Sequence, residues 1–364
     1  MTKVFGVDTR PNDLRKRVGD MGQIAGYKRY ELREGKGKGV EAVDIWNATG
    51  LNFTVLVDRG LDIFSASYCG RSLCWHSSTG PIAPSFYEPE GLGWLRGFQG
   101  GLLTTCGLTY AGAPCEDQGE PLGLHGRASY IPATQVETGA QWVGDRYGVW
   151  VAGKIRETRV FGANLVVSRT VSTVMGEPRI FVHDIVDNEG FDRTPFMLVY
   201  HINLGYPVVD SGSVLICPVV SVAPRDEEAA DGLRSCRRFH NPRKGYAEKC
   251  YYYELGSDPE GMVYAGVVNR KLDGGRGFGV YIKYRKEALP HFVEWKMMGE
   301  GTYVVGLEPG NCLVSGRATE RKEGRLKFLE PGQRAEVHLE IGVLASRRDI
   351  AGFEKSVQNC AGKK

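Results

Sequence analysis

The sequence predicts an all-β protein, a large antiparallel β-sandwich with few short helices. Short runs rich in β-branched and aromatic residues recur along the chain, bounded by glycine or polar turns. Two of them, Thr170–Val174 and Phe181–Val186, alternate apolar and polar residues with period two, as half-buried antiparallel strands do. Glycine supplies 49 of 364 residues, nearly twice the typical ~7%. Without collagen-like or low-complexity repeats, that excess implies many tight turns and therefore many strands.

Residues 1–39 read as a polar N-terminal extension, with a short helix over Asn12–Asp20 and a solvated Gly35-Lys36-Gly37-Lys38-Gly39 run. Strands follow at Val40–Trp46, Asn52–Val57 and Asp62–Tyr68, then at Val149–Arg156, Leu165–Thr173 and Arg179–Asn188. Others are expected at Met262–Val268, Gly277–Arg285, Glu294–Met298 and Val337–Val343. Long connections, Trp75–Leu124 and Ala223–Tyr251, join them at the ends of the sandwich. A C-terminal helix is expected over Arg347–Gln358 after Ser346, closed by Asn359 and Gly362. No linker or fixed-period repeat divides the chain. A single domain is expected over 1–364, with its core at about 40–345 and a helix and tail at 346–364.

Composition narrows the function. Hydrophobic residues make up 42% and charged residues 24%, ordinary for a globular protein. The net charge of +3 is scattered along the chain, which argues against nucleic acid or an anionic membrane as partner. No apolar run approaches the ~18 residues of a membrane-spanning helix. The nine cysteines are odd in number and form no CxxC, and Met1–Asp8 has no apolar leader pattern. Reduced thiols and a cytoplasmic location are the expectation. A homodimer is compatible with the sequence.

Three segments carry candidate chemistry. Leu124-His125-Gly126-Arg127 follows the glycine-rich Phe98–Leu108 stretch, and a histidine beside glycine sits where backbone can approach a ligand closely. In Tyr200-His201-Ile202-Asn203-Leu204-Gly205, His201 and Asn203 share one face of an apolar strand, so they need partners or a ligand. In Gly306-Leu307-Glu308-Pro309, the proline holds Glu308 extended at a strand end, and partial burial there would raise its pKa. Asp58-Arg59-Gly60-Leu61-Asp62 offers an internal ion pair or a sugar-binding arginine. Glu294-Trp295 offers an acceptor and an aromatic platform. His183 reads as a structural strand histidine. His240, Cys236 and Cys250 lack zinc-finger spacing, and no metal or cofactor is expected.

With Gly100-Gly101-Leu102 and Thr105-Cys106-Gly107-Leu108 added to these segments, the sequence resembles the galactose mutarotase-like (aldose 1-epimerase) superfamily. Within it, the DUF4432 branch is the nearest likeness, over roughly residues 40–345. The resemblance implies a supersandwich fold and a small-molecule sugar or sugar derivative as partner. It implies Glu308 as general base and His201 as general acid. His125, Arg127, Arg59, Asn203, Glu294 and Thr105 would then hold the sugar hydroxyls. Three features depart from the family. His201 precedes Asn203 by two residues rather than four, the Gly-Arg-x-x-Asn-Arg segment is replaced by Gly100–Leu108, and the family's usual sugar-binding aspartate has no counterpart. The same acid–base pair would serve a keto-sugar or uronate isomerase or lyase, and a non-catalytic sugar-binding protein would keep the same site.

Overall fold

A computed structural model describes residues 2–360 of the chain. Every ladder between its strands is antiparallel, and three sheets make up the body. The largest has eight strands in the order Thr134–Val143, Arg146–Thr158, Asn164–Val174, Arg179–Asn188, Arg334–Leu344, Phe278–Arg285, Met262–Asn269 and Val214–Ile216. The second runs Val219–Pro224, Lys249–Leu255, His291–Gly299, Thr302–Gly310, Thr194–Leu204 and Lys327–Leu329, with Thr104–Leu108 also paired to Thr194–Leu204. The third has five strands: Ala25–Glu31, Glu41–Asn47, Leu51–Leu56, Asp62–Tyr68 and Arg71–Ser72.

The period-two pattern does what it predicts. Along Arg179–Asn188 intermediate and buried residues alternate without a break, so Ile180, Val182 and Val186 enter the core while Phe181, His183 and Ile185 stay on the outer face. One continuous apolar core joins all three sheets, from Ile45 and Phe53 through Val151 and Val182 to Tyr200 and Leu307. All nine cysteines are free thiols. No helix among the described residues is long and apolar enough to cross a membrane.

Several elements differ from the sequence expectation, among them the unanticipated strand Thr134–Val143 and the helix Glu227–Gly232, and three others show why. The polar extension contributes Ala25–Glu31, which pairs with Glu41–Asn47 as an edge strand of the five-stranded sheet. Only its first two residues are buried, so hydrophobic patterning could not reveal it. The helix near the N-terminus is shorter than expected, Pro11–Arg15. Thr104–Leu108, inside the supposed Trp75–Leu124 connection, is a fully buried strand. Its threonines and glycine conceal it, because its burial comes from neighbours on both faces rather than from its own apolar side chains. The C-terminal helix spans Arg347–Cys360. Ser346 Oγ accepts from the Asp349 amide and donates to its carboxylate, a reciprocal N-terminal cap. Ile350, Phe353 and Val357 pack that helix against Val268 and Leu344. The expected stop at Gly362 lies outside the described residues.

Beneath the second sheet lies a charge cluster sealed from solvent. Arg169 donates to both oxygens of Asp184 (2.8 and 2.6 Å), to Asp62 Oδ1 (3.0 Å) and to Thr105 Oγ1 (2.8 Å). Tyr200 donates to Asp184 and Thr105 to Asp62. Burial pushes the Asp62 carboxyl up to about 6, although Arg169 and Thr105 pull it back. Removing one member of such a cluster leaves uncompensated buried charge, typically at a cost of ~3–5 kcal/mol. Arg169→Met is therefore expected to lower unfolding free energy by about that amount, measured by urea denaturation. A loss below ~1 kcal/mol would show that the cluster is not coupled to global stability.

Candidate active site

The opposite face of the same strands carries the candidate site. His201 lies opposite Thr104 on one side, and on the other the ladder continues from Ile202 opposite Leu307. Glu308 is thereby brought beside His201, with His201 Nε2 3.1 Å from Glu308 Oε1. His201 is 3% exposed and Glu308 2%. Gly306 makes the approach possible: a Cβ there would lie 2.6 Å from Glu308 Oε1 and 3.0 Å from His201 Cε1.

His125 joins from the loop after Leu122. Its ring centroid lies 5.9 Å from that of His201, almost perpendicular to it. The residue adopts a left-handed backbone, φ 57°, pinned from both sides. Its amide donates to Gly112 O, and its carbonyl accepts from the Gly107 amide. Gly126 has to be glycine, since a Cβ there would fall 2.2 Å from Gly107 O.

Aromatic rings wall the trio. Trp94 packs on His125 at 4.9 Å, and Phe98 and Trp295 each approach His201 at 5.4 Å. Trp75 touches both Phe98 and Trp295. Inside this wall, His125 Nδ1, His201 Nδ1 and Asn203 Oδ1 are buried without a hydrogen bond, and Glu308 Oε1 meets His201 Nε2 at 3.1 Å but outside hydrogen-bond alignment. Native proteins leave few buried polar atoms unpaired, and a cluster of them in one place makes this region the candidate site.

Burial also sets protonation. Desolvation raises the Glu308 carboxyl to about 8, helped by Glu248 and opposed by Arg225. It lowers His125 to about 4. It lowers His201 to about 3, with His125 adding to the shift. At neutral pH the pair thus carries one proton, resting on Glu308 while both imidazoles are neutral.

Of the other residues expected at the site, only Asn203 shares its face. Its Nδ2 donates to the carbonyls of Gly101 and His201. Thr105 lies opposite Tyr200 and points into the Arg169 cluster. Arg59 is enclosed by the carbonyls of Ser129, Ile82 and Gly97 and by Gln99 Oε1. That arginine ties loops together behind the aromatic wall. Glu294 faces away from Trp295 and accepts from Tyr253 in the core beside Lys296. Arg127 turns over the Tyr110 ring into a separate cleft of about 480 Å³, lined also by Arg317 and Arg321. A one-residue step along a strand reverses a side chain's face, which is why Thr105 and Glu294 point elsewhere; Arg59 and Arg127 lie outside the strands, and their loops carry them away from the trio.

Sequence reasoning passed over Trp75, Trp94 and Phe98. It also passed over Arg225 and Glu248, which come from the Ala223–Tyr251 connection. Glu248 accepts from Trp295 Nε1 and pairs with Arg225. The aromatic density of Trp75–Phe98 was the available signal.

A family model described as a domain of unknown function, DUF4432, matches residues 37–343. The chain belongs to this family. Solved structures place the DUF4432 chain in the galactose mutarotase-like fold. A candidate aldose 1-epimerase from Klebsiella pneumoniae subsp. pneumoniae MGH 78578 aligns with a TM-score of 0.88 at 26% identity, over 96% of this chain and 90% of that one. A galactose mutarotase-like protein from Clostridium acetobutylicum aligns with a TM-score of 0.60 at 12% identity, over 87% and 98%. Galactose 1-epimerase from Lactobacillus acidophilus NCFM aligns with a TM-score of 0.55 at 13% identity, over 87% and 98%. No curated protein sequence matches the chain.

A carboxyl held at about 8 in the folded state and at ~4.3 when unfolded costs stability as pH rises through that window. Below the unfolded value both states are protonated and the cost vanishes. Glu308→Gln is therefore expected to match the parent at pH 4 and to become more stable than it above pH 8, by on the order of a few kcal/mol. Urea unfolding across pH 4–9 measures this; a parallel pair of curves would place Glu308 in an ordinary carboxylate environment.

Proposed function

We propose that this DUF4432 protein is a carbohydrate-active acid–base enzyme, an aldose 1-epimerase that interconverts sugar anomers through Glu308 and His201. The observation that carries this reading is the 3.1 Å approach of His201 Nε2 to Glu308 Oε1, side by side inside an aromatic wall. Apolar ring faces suit the C–H face of a pyranose. The unpaired nitrogens and oxygens of His125, His201, Asn203 and Glu308 suit its hydroxyls.

Ring opening removes the anomeric O–H proton, makes C1 a carbonyl and breaks the bond from C1 to the ring oxygen, which takes up a proton. Both oxygens are bonded to the same carbon. Adjacent groups can therefore reach both from one side, and no separation across the sugar is needed. The pair brings one proton and needs one. With the proton on Glu308, the carboxyl protonates the ring oxygen while His201 accepts the anomeric proton. With it on His201, the roles exchange, giving the base role to Glu308 as the family resemblance implies. Rotation about C1–C2 and the reverse transfers close the ring to the other anomer. His125 and Asn203 orient the hydroxyls. No metal or nucleotide enters this scheme.

Glu308→Gln is expected to keep its fold and lose anomer exchange by a factor of ~10² or more, read by polarimetry or exchange NMR on an aldose panel. Full activity in that variant would overturn the assignment. Sugar binding retained in both parent and variant, with turnover in neither, would leave a binding protein. Both placements are tautomers of one singly protonated pair, so in either case kcat/KM is expected to fall as pH rises through about 8. A profile flat across pH 6–9 would show that this pair does not carry the proton transfer.

A further inference from the structure

We propose that His183, Glu336 and His338 form a binding site for a divalent transition-metal ion on the outer face of the eight-stranded sheet. The antiparallel register puts His183 directly opposite His338 on the neighbouring strands Arg179–Asn188 and Arg334–Leu344. Their rings stack, with centroids 4.2 Å apart and planes 8° from parallel. Glu336 precedes His338 by two residues and so shares its face. Its Oε1 lies 2.7 Å from His183 Nε2 and 3.2 Å from His338 Nε2.

The three ligand atoms lie within 4.8 Å of one another. A tetrahedral ion with bonds of ~2.0–2.1 Å holds its ligand atoms roughly 3.3–3.4 Å apart. The His338 distance, 3.2 Å, already nearly matches, and the His183 distance, 2.7 Å, needs to open by roughly 0.6–0.7 Å. The side chains have room to adjust, at 38, 52 and 68% exposure for His183, Glu336 and His338. Their backbones have none, because nine residue pairs lock these two central strands together. The site is thus preformed in its Cα positions and adaptable at its tips. Two imidazoles and one carboxylate favour zinc, copper or nickel over magnesium or calcium. Three protein ligands leave a fourth position open to solvent.

The site is separate from the sugar-site residues. Asp184, next to His183, turns inward to Arg169, whereas His183 turns outward. Its occupancy therefore tests nothing about Glu308 or His201.

Tag-free protein, stripped with EDTA and dialysed, would be titrated with Zn²⁺ by calorimetry and with Cu²⁺ by electron paramagnetic resonance. One ion per chain is expected, with nitrogen hyperfine structure from two imidazoles. His183→Ala and His338→Ala should each weaken binding by about tenfold or more and remove one nitrogen from the spectrum. His240→Ala should bind as the parent does. Circular dichroism confirms folding, which exposed positions are expected to preserve. No stoichiometric uptake, or uptake unchanged in both strand-histidine variants, would overturn the proposal.

Discussion

The Arg169 guanidinium is the joint on which the architecture turns. It is completely buried and holds together residues from three sheets: Asp184 beside it in the eight-stranded sheet, Asp62 of the five-stranded sheet, and Thr105 of the second. Arginine suits this place because its planar fork satisfies several acceptors in fixed directions and it stays charged when buried. Burial alone would favour its neutral form, but Asp184 and Asp62 more than reverse that. An ion cluster of this kind adds little net stability compared with a well-packed apolar core. Its contribution is geometric: hydrogen bonds of fixed direction allow one arrangement of the three sheets, where apolar contacts alone would allow several.

That arrangement reaches the site through strand alternation. Thr105 and Tyr200 face the cluster, and Thr104 and His201 lie one residue along on the other face. The strand that presents His201 is thus clamped from behind by Tyr200 and Asp184. Glu308 follows from the next strand, whose ladder places it level with His201. The spacing between His201 and Glu308 is set by sheet hydrogen bonds, which are far stiffer than loops. His125 alone comes from a loop, and there the backbone compensates, with both peptide groups of the residue hydrogen-bonded.

The sequence was legible where side-chain pattern reports position directly. The alternating strands, the capped C-terminal helix and the His125, His201 and Glu308 segments all declare themselves through local chemistry. Thr104–Leu108 did not, since a strand buried by its neighbours needs no apolar pattern of its own. Neither did the edge strand Ala25–Glu31, which faces solvent over most of its length. Thr105 and Glu294 sit next to residues of the candidate site, yet their side chains point into the structure behind it, and Arg59 reaches the same region from a turn. Motif membership is a property of a segment, whereas direction alternates residue by residue. Only the ladder register resolves which member faces the ligand.

The aromatic wall, invisible as a motif, determines the chemistry of the polar trio more than any single contact within it. Trp94, Phe98 and Trp295 pack on the two imidazoles, and Glu308 is buried beside them. Desolvation penalises the charged form of each, so it moves histidine and glutamate in opposite directions. In water a carboxylate gives its proton up well before an imidazole does. Here the order is inverted, with Glu308 at about 8 and His201 at about 3. The two tautomers of the pair are thereby biased toward the neutral one, and no ion pair has to be buried while the site waits. A sugar hydroxyl entering between the rings would bring hydrogen bonds that favour the ionic tautomer and narrow the gap between the two. A proton that can sit on either partner is what a reaction requires when its forward and reverse steps exchange the acid and the base.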